Sequence, residues 1–268
     1  MSSDAQPHPS ALSATAWVTL LSLLGLILAG WAALVVALPP GLPDARALWA
    51  ALCQPVPSGM GFTESYIAAL AVWLPMVPAM MVPSAIPMAL AFADRIERHG
   101  GAIRPLVLLF GYLGVWLVAA AVFAFVQTVG ATGLASLRLP DKALGILGGF
   151  AIGLAGLWQF APLKRLSLAA CRHDFSEIVE RPTMVETLRI GIQQGFACIG
   201  CCWVLMLAAA FAGAMNLVWM AVLAAIMTAE KLMGPRATAP LGLILLGLGL
   251  TLAIAAVGPS AILSYWLG

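Results

Sequence analysis

The sequence predicts an all-α protein, a polytopic transmembrane helical bundle of six to seven spans, and two observations carry this prediction. First, 62% of the residues are hydrophobic and only 9% are charged, whereas a soluble domain carries about 25% charged and 45–50% apolar residues. Second, several apolar stretches are long enough to cross a hydrocarbon layer about 30 Å thick. Such stretches are expected to be helices, because open backbone cannot be hydrogen-bonded in lipid.

Seven stretches are predicted as spans of a single integral membrane domain, residues 1–268, with a cytoplasmic loop at 162–194. The spans are 16–38, 64–92, 106–129, 144–161, 195–213, 215–233 and 239–267. The first is expected to be retained, because it lacks the basic start and short apolar core of a secretory signal. The fifth and sixth are joined by almost no loop, which predicts an antiparallel hairpin.

The basic residues predict the orientation of these spans. Ten Lys and Arg residues fall on one side of the predicted bundle, and only Arg46, Arg138 and Lys142 fall on the other. The positive-inside rule then places the N-terminus in the cytoplasm. The net charge of +2 does not indicate a nucleic-acid partner, so the lipid bilayer is the expected surrounding.

The fourth predicted span carries glycines at every fourth position, Gly145, Gly149 and Gly153. These glycines share one helix face, which allows another backbone to approach closely. The face predicts either packing within the chain or contact between copies in a homo-oligomer.

The most distinctive segment is a sulfur-rich stripe in the fifth predicted span. At about 100° per residue, Cys198, Cys201 and Cys202 share one helix face, and Met206 follows one turn later. Soft sulfur ligands favour copper(I), and thiolates also accept zinc. The stripe therefore predicts a metal site. The alternative is packing, because cysteine also behaves as a small hydrophobe.

Two other predicted spans supply further candidate ligands. Span six carries Met220 and Glu230, and span two carries Met76 and Met80 among four prolines. The prolines predict a bent or broken helix, and discontinuous helices often line sites in transporters. Alternatively, the methionines fill gaps beside the kinks.

Glu230 has three readings. It is an acid that reaches the interface, a partner of Lys231, or a metal ligand or proton relay.

Two more cysteines lie outside the stripe. Cys171 and His173 form a Cys-x-His pair after span four that would pass a metal ion into the membrane site. Cys53 lies in a predicted external loop and has no evident partner. The odd number of cysteines does not suggest a secreted disulfide framework.

The sequence resembles a bacterial family of integral membrane proteins of unknown function that are described as predicted metal-binding proteins. The most specific matching motif is Cys-x-Gly-Cys-Cys-Trp-x-Leu-Met at 198–206, and further matching segments lie at 73–83, 111–116, 162–171, 215–220 and 230–231. The resemblance implies metal binding and a multi-pass location in the bacterial cytoplasmic (inner) membrane, and it implies no particular reaction. In one departure, Phe160 stands where relatives often carry Tyr.

Three functions follow from these patterns. The leading hypothesis is a membrane metal-handling protein that binds copper(I), with zinc as the second candidate, for transport or for delivery to a cuproprotein or metallochaperone. No phosphate-binding loop motif is present, so ATP-driven pumping by this chain is not expected. The alternatives are a membrane thiol oxidoreductase that uses Cys198 and Cys201, and a non-catalytic assembly or scaffold protein.

Overall fold

A computed structural model describes residues 13–36, 61–97, 103–172, 182–211 and 217–258. Every regular element in these ranges is helical, which confirms the all-α prediction. The helices are α1 (Ala14–Val36), α2 (Phe62–Met76), a π-helical segment (Val77–Met81), α3 (Val82–Glu97), α4 (Arg104–Ser136), α5 (Asp141–Trp158), α6 (Pro162–Cys171), α7 (Met184–Phe211), α8 (Leu217–Met233) and α9 (Pro235–Val257).

Five helical stretches within the described ranges are long and apolar enough to cross a membrane. They are α1, the stretch from α2 through α3, α4, α7 and α9. Helices α5 and α6 meet the same criterion together, with a bend of 65° between them, and would make a sixth span. Helix α8 corresponds to the sixth predicted span. Its 17 residues reach only about 25 Å, which is shorter than a hydrocarbon layer.

The second predicted span is one helical stretch of 35 residues with a π-helical turn, Val77–Met81, at its centre. A proline such as Pro78 donates no backbone hydrogen bond, and a single π turn accommodates this loss without ending the helix. Helix α1 crosses at this turn through Gly30. A Cβ on Gly30 would lie 2.7 Å from the Ala79 nitrogen and 2.8 Å from the Pro75 carbonyl oxygen. The prolines therefore widen the span locally and do not break it.

Helices α4 and α7 pack closely because glycines line their contact. A Cβ on Gly111 of α4 would lie 2.6 Å from the Leu188 carbonyl oxygen of α7, and a Cβ on Gly191 would overlap the Leu108 carbonyl. Small residues at helix contacts let two backbones approach each other. This contact fixes the position of α7 against α4.

We expect Gly111→Ala to destabilise the fold by about 1–3 kcal/mol, because the added methyl group overpacks a contact between two backbones. Gly114 is the matched control on the same helix, since a Cβ there would meet no atom within 4 Å. Gly114→Ala should be neutral or stabilising, because alanine has the higher helix propensity. Unfolding of both variants in detergent measures the difference, and equal melting temperatures would contradict the close approach.

The glycine face of α5 packs against α9 of the same chain. A Cβ on Gly145 would lie 2.8 Å from the Ala256 Cβ, and one on Gly149 would lie 2.6 Å from the Gly249 carbonyl oxygen. A Cβ on Gly249 would in turn lie 2.7 Å from the Gly153 nitrogen. Intramolecular packing thus accounts for Gly145 and Gly149, whereas a Cβ on Gly153 itself would meet no atom within 4 Å.

The structure adds a helix to one predicted connection and contradicts another. Residues 162–171 of the predicted cytoplasmic loop form helix α6, because Pro162 suits a first helical position and good helix formers follow it. Helices α7 and α8 do not lie alongside each other as a close hairpin. Polar contacts hold α8 elsewhere: Glu230 reaches Lys164 of α6, and Lys231 reaches Ser84 of α3. The residues predicted to turn between α7 and α8, 212–216, lie outside the described ranges.

Candidate metal centre

Three cysteine thiols meet in the interior of the bundle. Cys171 ends α6, and Cys198 and Cys201 lie one turn apart on α7. All three are free and buried, and their sulfurs lie within 4.8 Å of one another. Metal–thiolate bonds of about 2.3 Å, as zinc forms, place the sulfurs of one site about 4 Å apart. The cysteine triad (Cys171, Cys198 and Cys201) therefore has the dimensions of a soft-metal site.

The triad forms because α6 packs closely on α7. Gly200 leaves room for this contact, since a Cβ there would overlap the Ser167 side chain of α6. Gln194 of α7 donates from Nε2 to the Ala170 carbonyl oxygen at 3.2 Å, next to Cys171. The glycine within the Cys-x-Gly-Cys-Cys motif thus has a structural purpose: it admits the helix that carries the third thiol.

The neighbouring residue Cys202 faces the same interior but is not part of the triad. The thiols of Cys201 and Cys202 donate to the Cys198 carbonyl oxygen at 3.1 and 2.9 Å. These bonds run one turn back along α7 and fix both side-chain directions. The group of three sulfurs within 4.8 Å contains Cys171 of α6, which periodicity along α7 cannot indicate, and does not contain Cys202. The role of Cys202 as a metal ligand stays a prediction.

Two polar side chains contact the Cys198 sulfur. The Tyr112 hydroxyl of α4 lies 3.1 Å from Cys198 Sγ and 3.2 Å from the Met81 carbonyl oxygen of the π segment. The Lys231 ammonium of α8 donates to Cys198 Sγ at 3.0 Å and to Ser84 Oγ at 2.8 Å. Besides Cys171 of α6, Cys198 is therefore contacted from α4 and α8, and the contact from α8 carries a positive charge.

Glu230 forms a buried ion pair with Lys164 of α6. Lys164 Nζ donates to both carboxylate oxygens, at 2.9 and 2.8 Å, and neither side chain is more than 5% exposed. Of the three readings of Glu230, pairing with Lys231 is wrong, because Lys231 contacts Cys198 and Ser84 instead. The carboxylate lies outside the cysteine triad, and its role as a metal ligand stays a prediction.

The predicted methionine ligands share one interior with the thiols. Met76, Met80, Met206 and Met220 are all buried and belong to the same continuous core cluster as the triad and Cys202. Met81 and Met227 join the same cluster, although sequence analysis did not select them as ligands. The coordination of a metal ion by these thioethers stays a prediction.

Sequence reasoning missed several residues around the thiols. Cys171 was assigned to metal entry with His173, which lies outside the described residues. Tyr112, Lys164 and Lys231 were not selected as site residues, although Lys231 was considered as a partner of Glu230. A signal existed for the two lysines, since each sits in or beside an apolar stretch, where a charge needs a buried partner. Tyr112 had no comparable signal.

One family of known proteins matches most of the chain. A family model described as PpoB2, a copper chaperone, matches residues 70–252. This range is more than half of the chain and includes the triad, the buried ion pair, and Tyr112 and Lys231, which contact Cys198. No curated protein and no solved structure is significantly similar to the chain. The family and the three-cysteine group together support a copper-handling role, and the chain belongs to the PpoB2 family of copper chaperones.

Proposed function

We propose that this protein is an integral membrane copper chaperone that binds copper(I) at the cysteine triad and delivers it to a copper-dependent partner protein. The observation that carries the proposal is the convergence of three free, buried thiols from two helices. Thiolates favour copper(I) over hard ions, and the triad contains no oxygen ligand. Copper(I) is the cargo of the site, and zinc is the competing ion.

The outer surface of the bundle supports a membrane location. Without a surrounding membrane, large apolar side chains on several helices are exposed. Examples are Leu21, Leu28, Phe110, Val118, Leu243 and Ile244. Apolar surface of this extent leads to aggregation in water and is ordinary in lipid. With five to six helical stretches of spanning length, we place the chain in the bacterial cytoplasmic membrane.

The orientation of the chain would put the end of α6, and Cys171 with it, towards the cytoplasmic side of the bundle. Lys164 and Lys231, counted among the ten basic residues on the inner side, make internal contacts. Without them the asymmetry is still eight against three, which keeps the N-terminus in the cytoplasm. Cys171 lies beside the segment 172–181 on that side. Copper(I) would therefore enter or leave the triad from the cytoplasmic side.

Further ligands come from the same interior. We propose that Cys202, Met206, Met76, Met80 and Met220 form a soft lining through which the ion moves to or from the triad, since thioethers suit copper(I). The Lys164–Glu230 pair holds α6 and α8 together beside this lining. Glu230 would become a ligand only after that ion pair opens.

The two alternative functions have less support. A thiol oxidoreductase must expose a reactive sulfur to its partner, whereas Cys198 is 0% and Cys201 4% exposed. A purely structural role would leave the Lys231 ammonium contact with Cys198 without a purpose. Metal binding accounts for the burial of the thiols and for the cation beside them.

Copper(I) binding to purified protein tests the proposal. We expect the wild-type chain to bind copper(I) stoichiometrically in detergent under anaerobic conditions, in competition with a copper(I) chelator, and Cys198→Ser to lose this binding. Cys53→Ser is the control, because Cys53 falls in a predicted external loop outside the described residues, and it should bind as the wild type does. Equal binding by Cys198→Ser and Cys53→Ser would refute the site, and a wild-type protein that binds no copper(I) would refute the function.

A further inference from the structure

Among the described residues, no carboxylate contacts the Lys231 ammonium beside the thiols. The nearest acid in the sequence, Glu230, is taken by Lys164, which contacts both of its carboxylate oxygens. The Lys231 ammonium instead contacts Cys198 Sγ at 3.0 Å and the neutral Ser84 hydroxyl at 2.8 Å. The side chain is partly buried and lies in the last turn of α8, where the helix dipole also favours a cation. Its charge is therefore directed at the metal site.

The net charge of the metal-loaded triad determines how strongly the Lys231 ammonium would stabilise it. Three thiolates with copper(I) carry two net negative charges, whereas the same thiolates with zinc carry one. A buried net charge is costly unless a counter-charge lies close by. Since Coulomb energy is proportional to charge, a neighbouring ammonium stabilises the copper(I) complex about twice as strongly as the zinc complex.

From this geometry we propose that Lys231 is the counter-ion of the copper(I)–thiolate complex and biases the triad towards a monovalent soft ion over zinc. The proposal rests on copper(I) binding at the triad. Lys231 acts as a positioning and specificity residue, because it donates to a ligand sulfur and does not itself coordinate the metal ion. Ser84 orients the ammonium, and Ser84 Oγ in turn donates to the Met81 carbonyl oxygen at 2.8 Å.

Neighbouring groups are compatible with this role. Tyr112 contacts the same sulfur from α4 at 3.1 Å and carries no charge while its hydroxyl is protonated. The Arg172 guanidinium follows Cys171 but lies against Gly234, at the turn after α8. Among the described contacts of Cys198, Lys231 supplies the charged one.

The test compares two metals on the full-length protein in detergent. Copper(I) affinity is measured against a copper(I) chelator, and zinc affinity against a zinc chelator, for the wild type, Lys231→Met and Lys231→Arg. We expect Lys231→Met to lower copper(I) affinity by about 10- to 100-fold, the range for residues that contact metal ligands, and to lower zinc affinity by a smaller factor. Lys231→Arg should restore most of the copper(I) preference, because it keeps the charge and the donor.

Lys142→Met is the matched control, since it removes an exposed lysine from the first turn of α5. It should change neither affinity. The proposal would be overturned if Lys231→Met lowered the affinities for copper(I) and zinc by the same factor, or changed neither. It would also be overturned if Lys231→Arg bound both metals as Lys231→Met does while it elutes and melts as the wild type does. These outcomes differ from failure of the proposed function, in which the wild-type chain itself binds no copper(I).

Discussion

Glu230→Gln should destabilise the folded protein by about 3–5 kcal/mol, the usual cost when one partner of a buried ion pair is removed. The glutamine keeps the shape of the side chain but leaves the Lys164 ammonium buried without a counter-charge. Lys164 is 0% exposed, so water cannot replace the lost carboxylate. Unfolding in detergent, followed by tryptophan fluorescence, measures the loss.

Two further variants complete this comparison. Glu64→Gln removes an exposed carboxylate from the first turn of α2 and should cost no more than about 1 kcal/mol. The double variant Lys164→Met/Glu230→Leu removes both charges and should regain most of the stability, because apolar replacement of a whole buried pair is often neutral or stabilising. If Glu230→Gln were no less stable than Glu64→Gln, the ion pair would not hold α6 against α8.

The same double variant separates two roles of Glu230. We expect it to bind copper(I) as the wild type does, since the cysteine triad is complete without the carboxylate. A folded double variant with weakened copper(I) binding would instead establish Glu230 as a ligand.

Cys171→Ser should lower copper(I) affinity by at least about tenfold, or 1.4 kcal/mol, whereas Cys202→Ser should have a much smaller effect. Cys171 belongs to the group of three sulfurs within 4.8 Å of one another, and Cys202 does not. Both thiols are buried, so the two substitutions are matched in chemistry and in environment. Chelator competition measures the affinities, and X-ray absorption at the copper edge counts the sulfur ligands.

A larger loss of copper(I) affinity in Cys202→Ser than in Cys171→Ser would favour the ligand set predicted from helix periodicity, Cys198, Cys201 and Cys202. If Cys202→Ser lost copper(I) and Cys171→Ser retained it, the metal would lie along the stripe of α7 and not between α6 and α7. If both variants lost binding to the same extent, four thiols would share the site.

The helical class and the positions of the helices were predictable from local sequence. Apolar composition and long uncharged runs indicate spanning helices directly. Each of the seven predicted stretches overlaps a described helix, although α7 begins 11 residues earlier than predicted and α6 lies in the predicted loop. The sulfur-rich stripe of α7 was also predictable from sequence, because residues three and four positions apart share a helix face whatever the helix packs against. The choice of soft metal followed from sulfur chemistry alone.

The third thiol of the triad, the cation beside it and the partner of Glu230 were decided by tertiary structure. Helix periodicity describes one helix and says nothing about which neighbour faces it. Cys171 lies close to Cys198 where Gly200 leaves room for α6, and Lys231 contacts that sulfur while Lys164 pairs with Glu230. The sequence by itself determined a helical, lipid-compatible chain with a soft-metal stripe. Packing between helices distant in sequence determined which sulfurs meet and which charge faces them.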